Sequence, residues 1–317
     1  MGMTDFGKKQ KNYFKFMTIG IDIGGTNIKG VLLNNQKVVA KIKIPTKSKT
    51  NPKIILGQIF KCIEKLIQKN KKNVGHTMSY INGIGIGVAG PVDFENQKIL
   101  NPCNVKGLKN LELGKIIQEK FEIKTLIDND VHCMVLAEAL LGAGKNKKMV
   151  VGLGLGTGVG GGIVIEGKIL YGKSGTAGEI GHTTINRFGR KCACGGRGCL
   201  EAYINEKGIR KTAFEIMGKR IDTIFLYNLA RKGERKALEV WQETGKYLGI
   251  GLANIVDALN PDMIVIGGGI ANAGELLLNS AKSEMRKNIL SPTAKKTQVL
   301  KAKLGEFAGA IGAGLLI

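Results

Sequence analysis

The sequence predicts an α/β protein of two domains with a cleft between them. Three observations lead there. At 317 residues the chain exceeds the size at which one apolar core usually keeps growing. A pattern of strand, Gly-Thr turn, strand and tight hairpin starts at Met17 and again at Met149, and it reads as a duplicated unit. Apolar runs of strand length alternate with stretches of helical period, the order expected of an α/β architecture.

Taken in order, residues 17–23 form a continuous apolar run broken by Gly24-Gly25-Thr26, the mark of a buried strand. Residues 28–33 and 37–44 follow as short strands, so the opening glycines lead into another strand. From Pro52 to about Gln68, Ile54, Ile55, Ile59, Ile63 and Ile67 recur at helical spacing. Residues 81–88 read as a strand ending in Ala89-Gly90-Pro91, and 111–121 as a helix. A short strand at 123–127 delivers Asp128-Asn129-Asp130, and a helix over 131–141 opens with an Asp whose carboxylate can cap free amides. A domain boundary is expected at this point.

The second half restarts the theme. Residues 149–155 form a strand, Gly156-Thr157-Gly158 a turn and 160–165 a strand, and Glu166-Gly167-Lys168 turns the chain into 169–170. Helices are expected at 201–207, 206–217 and 232–259, the last interrupted near Gly249 or Gly251. Residues 261–266 form a strand that ends in Gly267-Gly268-Gly269, and 306–317 form a small, apolar, packed helix.

Charge and composition narrow the function classes. The net charge is +23, from 48 Lys+Arg against 25 Asp+Glu, yet the lysines are scattered, with local runs at Lys8–Lys11, Lys69–Lys72 and Lys145–Lys148. Aromatic residues make up 5% and do not interleave with a basic face, so base-stacking platforms are scarce. No nucleic-acid partner is expected; a field attractive to phosphate-bearing ligands is. No run of 18 apolar residues occurs, so no membrane span is expected. Residues 1–16 lack a signal-peptide pattern and read as a polar, mobile extension or an upstream start, too short for a DNA-binding domain. Three of the six cysteines crowd into Cys192–Cys199, while Cys62, Cys103 and Cys133 stand alone, which suits a metal cluster in a reducing cytoplasm.

Glycine, 46 of 317 residues, is about twice its usual share and clusters beside strands. No Walker-type GxxxxGK[ST] occurs. A dinucleotide fingerprint must open a helix, and Gly20–Gly25 leads into a strand instead. The alternative is a pair of hairpin turns facing each other across a cleft. In Asp22-x-Gly24-Gly25-Thr26 the glycines let phosphate approach the backbone, the Thr hydroxyl donates, and Asp22 can hold Mg²⁺ directly or through water. Gly156-Thr157-Gly158 offers the matching set, and Gly267-Gly268-Gly269 a bare surface for an adenosine; ordinary turns remain the competing explanation for each.

Asp130 stands at a strand end and a helix start, where a carboxylate can accept a hydroxyl proton as that oxygen attacks phosphorus. It can equally be a helix cap, a role that Asp128 could take over. Asn129 can donate and accept to neighbouring hydroxyls. Cys192-x-Cys194 and Cys199, with His182 ten residues before Cys192, supply three thiolates and an imidazole, the tetrahedral set of a closed structural Zn²⁺ site. Glu179 and Glu201 flank that cluster, where acidic acceptors can recognise a polyhydroxylated substrate. His132 and His76 read as ordinary surface or helix residues.

These motifs together resemble the ROK family of bacterial and archaeal sugar kinases and repressors, its glucokinase-type members in particular. The resemblance runs from Met17 to Ile317 and includes Asp22-Ile-Gly-Gly-Thr26, Gly87-Val-Ala-Gly-Pro91, Asn129-Asp130, Leu155-Gly-Thr-Gly-Val-Gly160, Gly178-Glu-Ile-Gly-His182, Cys192-Ala-Cys-Gly-Gly-Arg-Gly-Cys-Leu-Glu201 and Ile266-Gly-Gly-Gly269. The glycine turns are shared by a wider group of ATPases; the Gly-Glu-x-Gly-His segment followed by the Cys cluster and Glu201 is the more specific part. The resemblance implies two ribonuclease H-like domains of the actin and hexokinase type, each with a mixed five-stranded sheet, closing over Mg²⁺-ATP and a hexose. It makes Asp130 the base for the sugar 6-hydroxyl, and Asn129, Glu179, His182 and Glu201 ligands to other hydroxyls, with His182 also on zinc. It places 17–129 with a returning C-terminal helix, 305–317, in a small domain and 130–304 in a large one. A cytoplasmic homo-dimer or homo-tetramer is expected. Repressor members carry an extra winged-helix domain ahead of the first turn, a pattern from which this sequence departs.

Overall fold

The computed structural model describes residues 16–48, 51–74, 81–102 and 104–317. His76, Cys103 and the Lys8–Lys11 run lie outside the described residues, as does all but Phe16 of the expected extension. Two five-stranded sheets organise the chain. The first comprises β1 (Met17–Ile23), β2 (Asn27–Asn34), β3 (Lys37–Pro45), β4 (Ile81–Val88) and, after a small hairpin of β5 (Val92–Asp93) and β6 (Lys98–Ile99), β7 (Thr125–Asn129). Its spatial order is β3-β2-β1-β4-β7. The second comprises β8 (Met149–Leu155), β9 (Val159–Ile165), β10 (Lys168–Ile169), β11 (Met263–Gly267) and β12 (Gln298–Lys301), in the order β10-β9-β8-β11-β12. In each, a three-stranded antiparallel meander is extended by two parallel strands. The duplication expected from the repeated Gly-Thr turns is therefore a duplication of strand order.

Parallel strands put their carboxyl ends on one edge of a sheet, and open α/β sheets bind ligands beyond that edge. The register pairs Ile23 with Val88 and Val88 with Asn129, so Gly24, Ala89 and Asp130 leave the first sheet side by side. In the second sheet Gly267 pairs with Gly154, which brings Gly268 beside the turn at Gly156.

Helices cover the sheets. In α1 (Pro52–Val74), Ile55, Ile59, Ile63 and Leu66 are fully buried against the first sheet, whereas Ile54, read from the sequence as part of that stripe, is 47% exposed. Each buried isoleucine contributes about 1.5–3 kcal/mol relative to exposure. α2 (Leu113–Phe121) precedes β7, and α3 (Asp130–Leu141) carries the chain from the first sheet to the second. α4 (Glu201–Ile204), α5 (Glu206–Met217), α6 (Thr223–Arg231), α7 (Arg235–Leu259) and α8 (Glu275–Asn288) pack on the second sheet and bury Trp241, Leu248 and Leu277. The helix expected over 232–259 is α7, which begins at Arg235 and runs unbroken through Gly249 and Gly251, and a separate helix, α6, precedes it and ends at Arg231. These glycines do not break α7. A Cβ at Gly249 would lie 2.6 Å from the Ala281 carbonyl oxygen of α8, and one at Gly251 would lie 2.5 Å from Leu200, so they allow close packing.

The chain returns to the first sheet through α9 (Ala308–Gly314). Thr18 Oγ1 donates to the Gly314 carbonyl at 2.7 Å, and a Cβ at Gly85 would fall 1.7 Å from the Ala313 carbonyl oxygen. α9 also lies against α3, where a Cβ at Gly312 would sit 1.6 Å from the Cys133 carbonyl oxygen. Buried Glu138 ties the two crossings together: Oε2 accepts from Ala143 N at 2.8 Å and Oε1 from Leu304 N at 2.7 Å.

Candidate active site

At the carboxyl edge of the first sheet, the turn Gly24-Gly25-Thr26 is closed by Gly24 N donating to Asn27 O and braced from behind by buried Thr46. The Thr46 hydroxyl donates to Gly24 O at 2.6 Å, and its amide donates to Thr26 O at 2.9 Å. Asp22 stands one pleat before the turn. Across the hairpin, register places Lys29 opposite Asp22, and Lys29 Nζ lies 3.6 Å from Asp22 Oδ2. Burial, together with repulsion from Asp130, raises the Asp22 carboxyl from 3.8 to about 7, with Lys29 pulling the other way. Gly309 of α9 comes so close that a Cβ there would touch the Asp22 carboxyl carbon at 3.2 Å. Neither Lys29, Thr46 nor Gly309 stood out in the sequence. The Lys29 pairing follows from strand register once the hairpin is recognised; the Gly309 contact spans nearly the whole chain.

Asp130 begins α3, and burial raises its carboxyl above the ordinary aspartate value, with backbone donors and nearby cations opposing. The helix cap is Asn129, which corrects the sequence reading: its Oδ1 accepts from Val131 N at 2.8 Å and His132 N at 3.3 Å, while Nδ2 donates to Gly90 O at 3.1 Å. Asp130 Oδ1 also receives Val131 N, at 3.0 Å, but the helix does not depend on it for a cap. Asp128 caps nothing in α3. It is fully buried and bonds to His132 and Tyr171, and His132 is, of the two roles read from the sequence, a helix residue, buried within α3.

The second turn lies close by. Next to Asp130, Val131 rests on Gly154 and Gly160, the glycines on either side of Gly156-Thr157-Gly158. That turn is closed by Gly156 N donating to Gly158 O at 2.9 Å. Gly268, at φ +84°, packs onto the Leu155 backbone, where any side chain would collide, and Gly267 lies against Met134. Two of the three glycines thus have reasons inside the protein, and Gly269 alone presents an open face.

Glu201 joins this turn to the cysteine cluster. Its Oε2 accepts from Val159 N at 2.8 Å and lies 2.9 Å from where a Gly158 Cβ would be, while Oε1 is 3.7 Å from Cys192 Sγ. The cluster is compact: His182 Nδ1 and Cys192 Sγ are 3.7 Å apart, Cys194 Sγ and Cys199 Sγ are 3.7 Å apart, and all four donor atoms lie within 4.8 Å of one another. With metal–sulfur bonds of about 2.3 Å, a tetrahedral edge is about 3.75 Å, so the set is able to hold a metal ion. Nδ1 faces the thiols, which leaves Nε2 for another partner. Glu179 precedes the 3₁₀ turn Ile180–His182, caps nothing with its side chain and is exposed. Arg190 braces the loop that bears the thiols, donating to Gly208 O and Thr212 Oγ1, each at 3.0 Å, and pairing with Glu215 at 2.6 Å.

Among the described residues, no helix is long and apolar enough to cross a membrane. Comparison with known proteins matches this arrangement. The ROK family model covers residues 18–317. The chain is 34% identical to a glucokinase of Halalkalibacterium halodurans over 94% of each protein. It is also 29% identical to the xylose repressor of Bacillus subtilis, over 95% of this chain and 76% of the repressor. The crystal structure of a Streptomyces griseus ROK glucokinase with glucose and AMPPNP superimposes with a TM-score of 0.78 at 28% identity, over 95% of this chain and 98% of that one. With its two-lobed α/β architecture and its glycine turns, this chain belongs to the ROK family.

Proposed function

We propose that the protein is an ATP-dependent hexokinase that transfers the γ-phosphoryl group to the 6-hydroxyl of a hexose, glucose being the first candidate. The observation that carries this reading is the placement of Asp130, a half-buried carboxylate whose pKa is raised by desolvation, at the edge where Asp22 and the first glycine turn also emerge. The glucokinase relative and the ROK glucokinase structure with glucose and AMPPNP support it. Gly24 to Thr26 and Gly156 to Gly158 offer amides and hydroxyls to the phosphates, and Gly269 an open face to the adenosine. Asn129, Glu179, His182 through Nε2, and Glu201 meet the sugar hydroxyls. Asp130 takes the proton of the sugar 6-hydroxyl as O6 bonds to the γ-phosphorus and the bond to the β,γ-bridging oxygen breaks, releasing ADP. A carboxyl pKa raised by burial brings this base closer to the acidity of a polarised hydroxyl and strengthens it. Asp22 would hold Mg²⁺, which neutralises charge on the β- and γ-phosphoryl oxygens. Cys192, Cys194, Cys199 and His182 Nδ1 would hold Zn²⁺ in a closed structural site that fixes the loop between Glu179 and Glu201.

Asp130→Ala tests the base. Turnover should fall by about 10²–10⁴-fold with little change in sugar affinity by calorimetry; normal turnover refutes the assignment. A coupled assay across hexoses, N-acetylhexosamines and phosphoryl donors, including polyphosphate, identifies the substrates. The similarity to a xylose repressor favours one other reading, a sugar-responsive regulator. No transfer with any pair, together with salt-dependent, sequence-specific duplex binding, would establish that reading instead.

A further inference from the structure

Asp128, His132 and Tyr171 lie beside this site but take no part in the chemistry above. Asp128 is fully buried near the end of β7, and both its oxygens are engaged. Oδ1 is 2.9 Å from His132 Nδ1 and accepts from the Asn129 amide; Oδ2 accepts the Tyr171 hydroxyl at 2.7 Å. Tyr171 follows β10, the edge strand of the second sheet, and opens the segment that leads to Glu179. Its carbonyl accepts from Ala177 N at 3.0 Å, which closes residues 171–177 into a loop.

Phe94, in the hairpin between β5 and β6, completes the group. Its ring centroid is 4.5 Å from that of Tyr171 and 6.3 Å from that of His132, with which it is stacked. Gly175 lies against the same ring at φ +76°; a Cβ there would be 2.6 Å from it, so the loop has no room for a side chain at this position. Phe94 packs on the core of the first lobe, so a loop of the second lobe is held against a hairpin and a strand end of the first. A buried carboxylate is stable only while its oxygens are paired. Burial, with the neighbouring Asp128 charge, pushes the Tyr171 hydroxyl far above the usual phenol range, so it remains a donor at any working pH.

We propose that Asp128, His132, Tyr171 and Phe94 form a latch between the lobes that seats loop 171–177 as a rim of the acceptor pocket, between Asp130 on one side and Glu179 on the other. Tyr171 is then a positioning residue for the acceptor. The nucleotide side hangs on β8, β9 and β11; His132 approaches β9 at Gly162, but the Tyr171 hydroxyl bonds to Asp128 and to none of these strands. The loop's far end is fastened separately, with Gly178 packed on Gly161 of β9, so release of the latch frees the loop without unfolding the sheet. The functional half of this inference rests on the kinase reading; the structural half does not.

Tyr171→Phe removes the hydroxyl and keeps the ring. Hydrogen exchange of the backbone over residues 171–177 should quicken about tenfold or more. The acceptor KM should rise about tenfold while the ATP KM stays within about twofold, and the unfolding midpoint should fall, because Asp128 Oδ2 is left unpaired. Asp128→Ala should loosen the loop as well, and the double variant should exchange no faster than Asp128→Ala alone, because the Tyr171–Asp128 bond is already absent there. Unchanged exchange over 171–177, additive effects in the double variant, or acceptor and ATP KM rising together would overturn the latch. Should the parent protein transfer phosphate to no sugar, the kinase reading fails, and exchange with the mutant cycle still decides the latch.

Discussion

Asp22→Asn should stabilise the ligand-free protein, and do so more strongly as the pH rises. The Asp22 side chain is 14% exposed and faces Asp130, and its carboxyl is raised from 3.8 to about 7. A folded-state pKa above the unfolded value means that the native chain holds a proton that the unfolded chain has released. Asp22 therefore lends its full contribution below about pH 4, and that contribution is lost as the pH climbs to about 7. At 1.36 kcal/mol per unit, a shift of about 3 units amounts to about 4 kcal/mol. The asparagine variant does not titrate here, so its advantage over the parent should widen by roughly 3 kcal/mol between pH 5 and pH 8, with the remainder already lost below pH 5. Equilibrium urea unfolding of both proteins, free of magnesium and nucleotide, at each half unit of pH provides the measurement. A stability difference flat in pH would refute the reasoning, as would one that narrows towards pH 8. The gain should carry a functional loss, since Asp22 is the proposed Mg²⁺ ligand.

Two further outcomes follow from packing and from the cluster. Elemental analysis should find about one zinc per chain, and Cys194→Ser should lose it and raise the sugar KM, whereas a metal-free preparation of full activity would remove the brace from the mechanism. Gly312→Ala adds a methyl 1.6 Å from the Cys133 carbonyl oxygen and should lower stability by about 1–3 kcal/mol in chemical denaturation; an unchanged midpoint would mean that α3 and α9 separate freely.

Much of the site could be read from the chain because its parts are local. Gly24-Gly25-Thr26 and Gly156-Thr157-Gly158 announce themselves between apolar runs, and the spacing of Cys192, Cys194 and Cys199 carries its own chemistry. Choosing between Asp128, Asn129 and Asp130 was a different problem. All three are good caps, and only the register of β7, which turns Asp128 into the interior, leaves the cap to Asn129. Gly249 and Gly251 looked like breaks in α7 because helix propensity is a local quantity, whereas their reason is the close approach of Ala281 and Leu200 from elsewhere in the fold. α6 escaped notice because it exposes Ile224 and Phe225, so its apolar residues do not mark one buried face. Lys29 and Gly309 reach Asp22 through strand pairing and a chain-long return, which no window of sequence contains.

That return has a consequence for biosynthesis. The first sheet is made early, but its Gly20 and Gly85 backbones are shaped to receive the carbonyl groups of Ala310 and Ala313, which leave the ribosome long afterwards. Until then the amino-terminal lobe exposes a glycine-lined groove, and the second lobe lacks Ala308 from the cluster that holds Val150, Met263 and Val265. The half that carries the first glycine turn, though made first, waits on the last residues to be made, and a nascent chain stalled before α9 should be a client for chaperones.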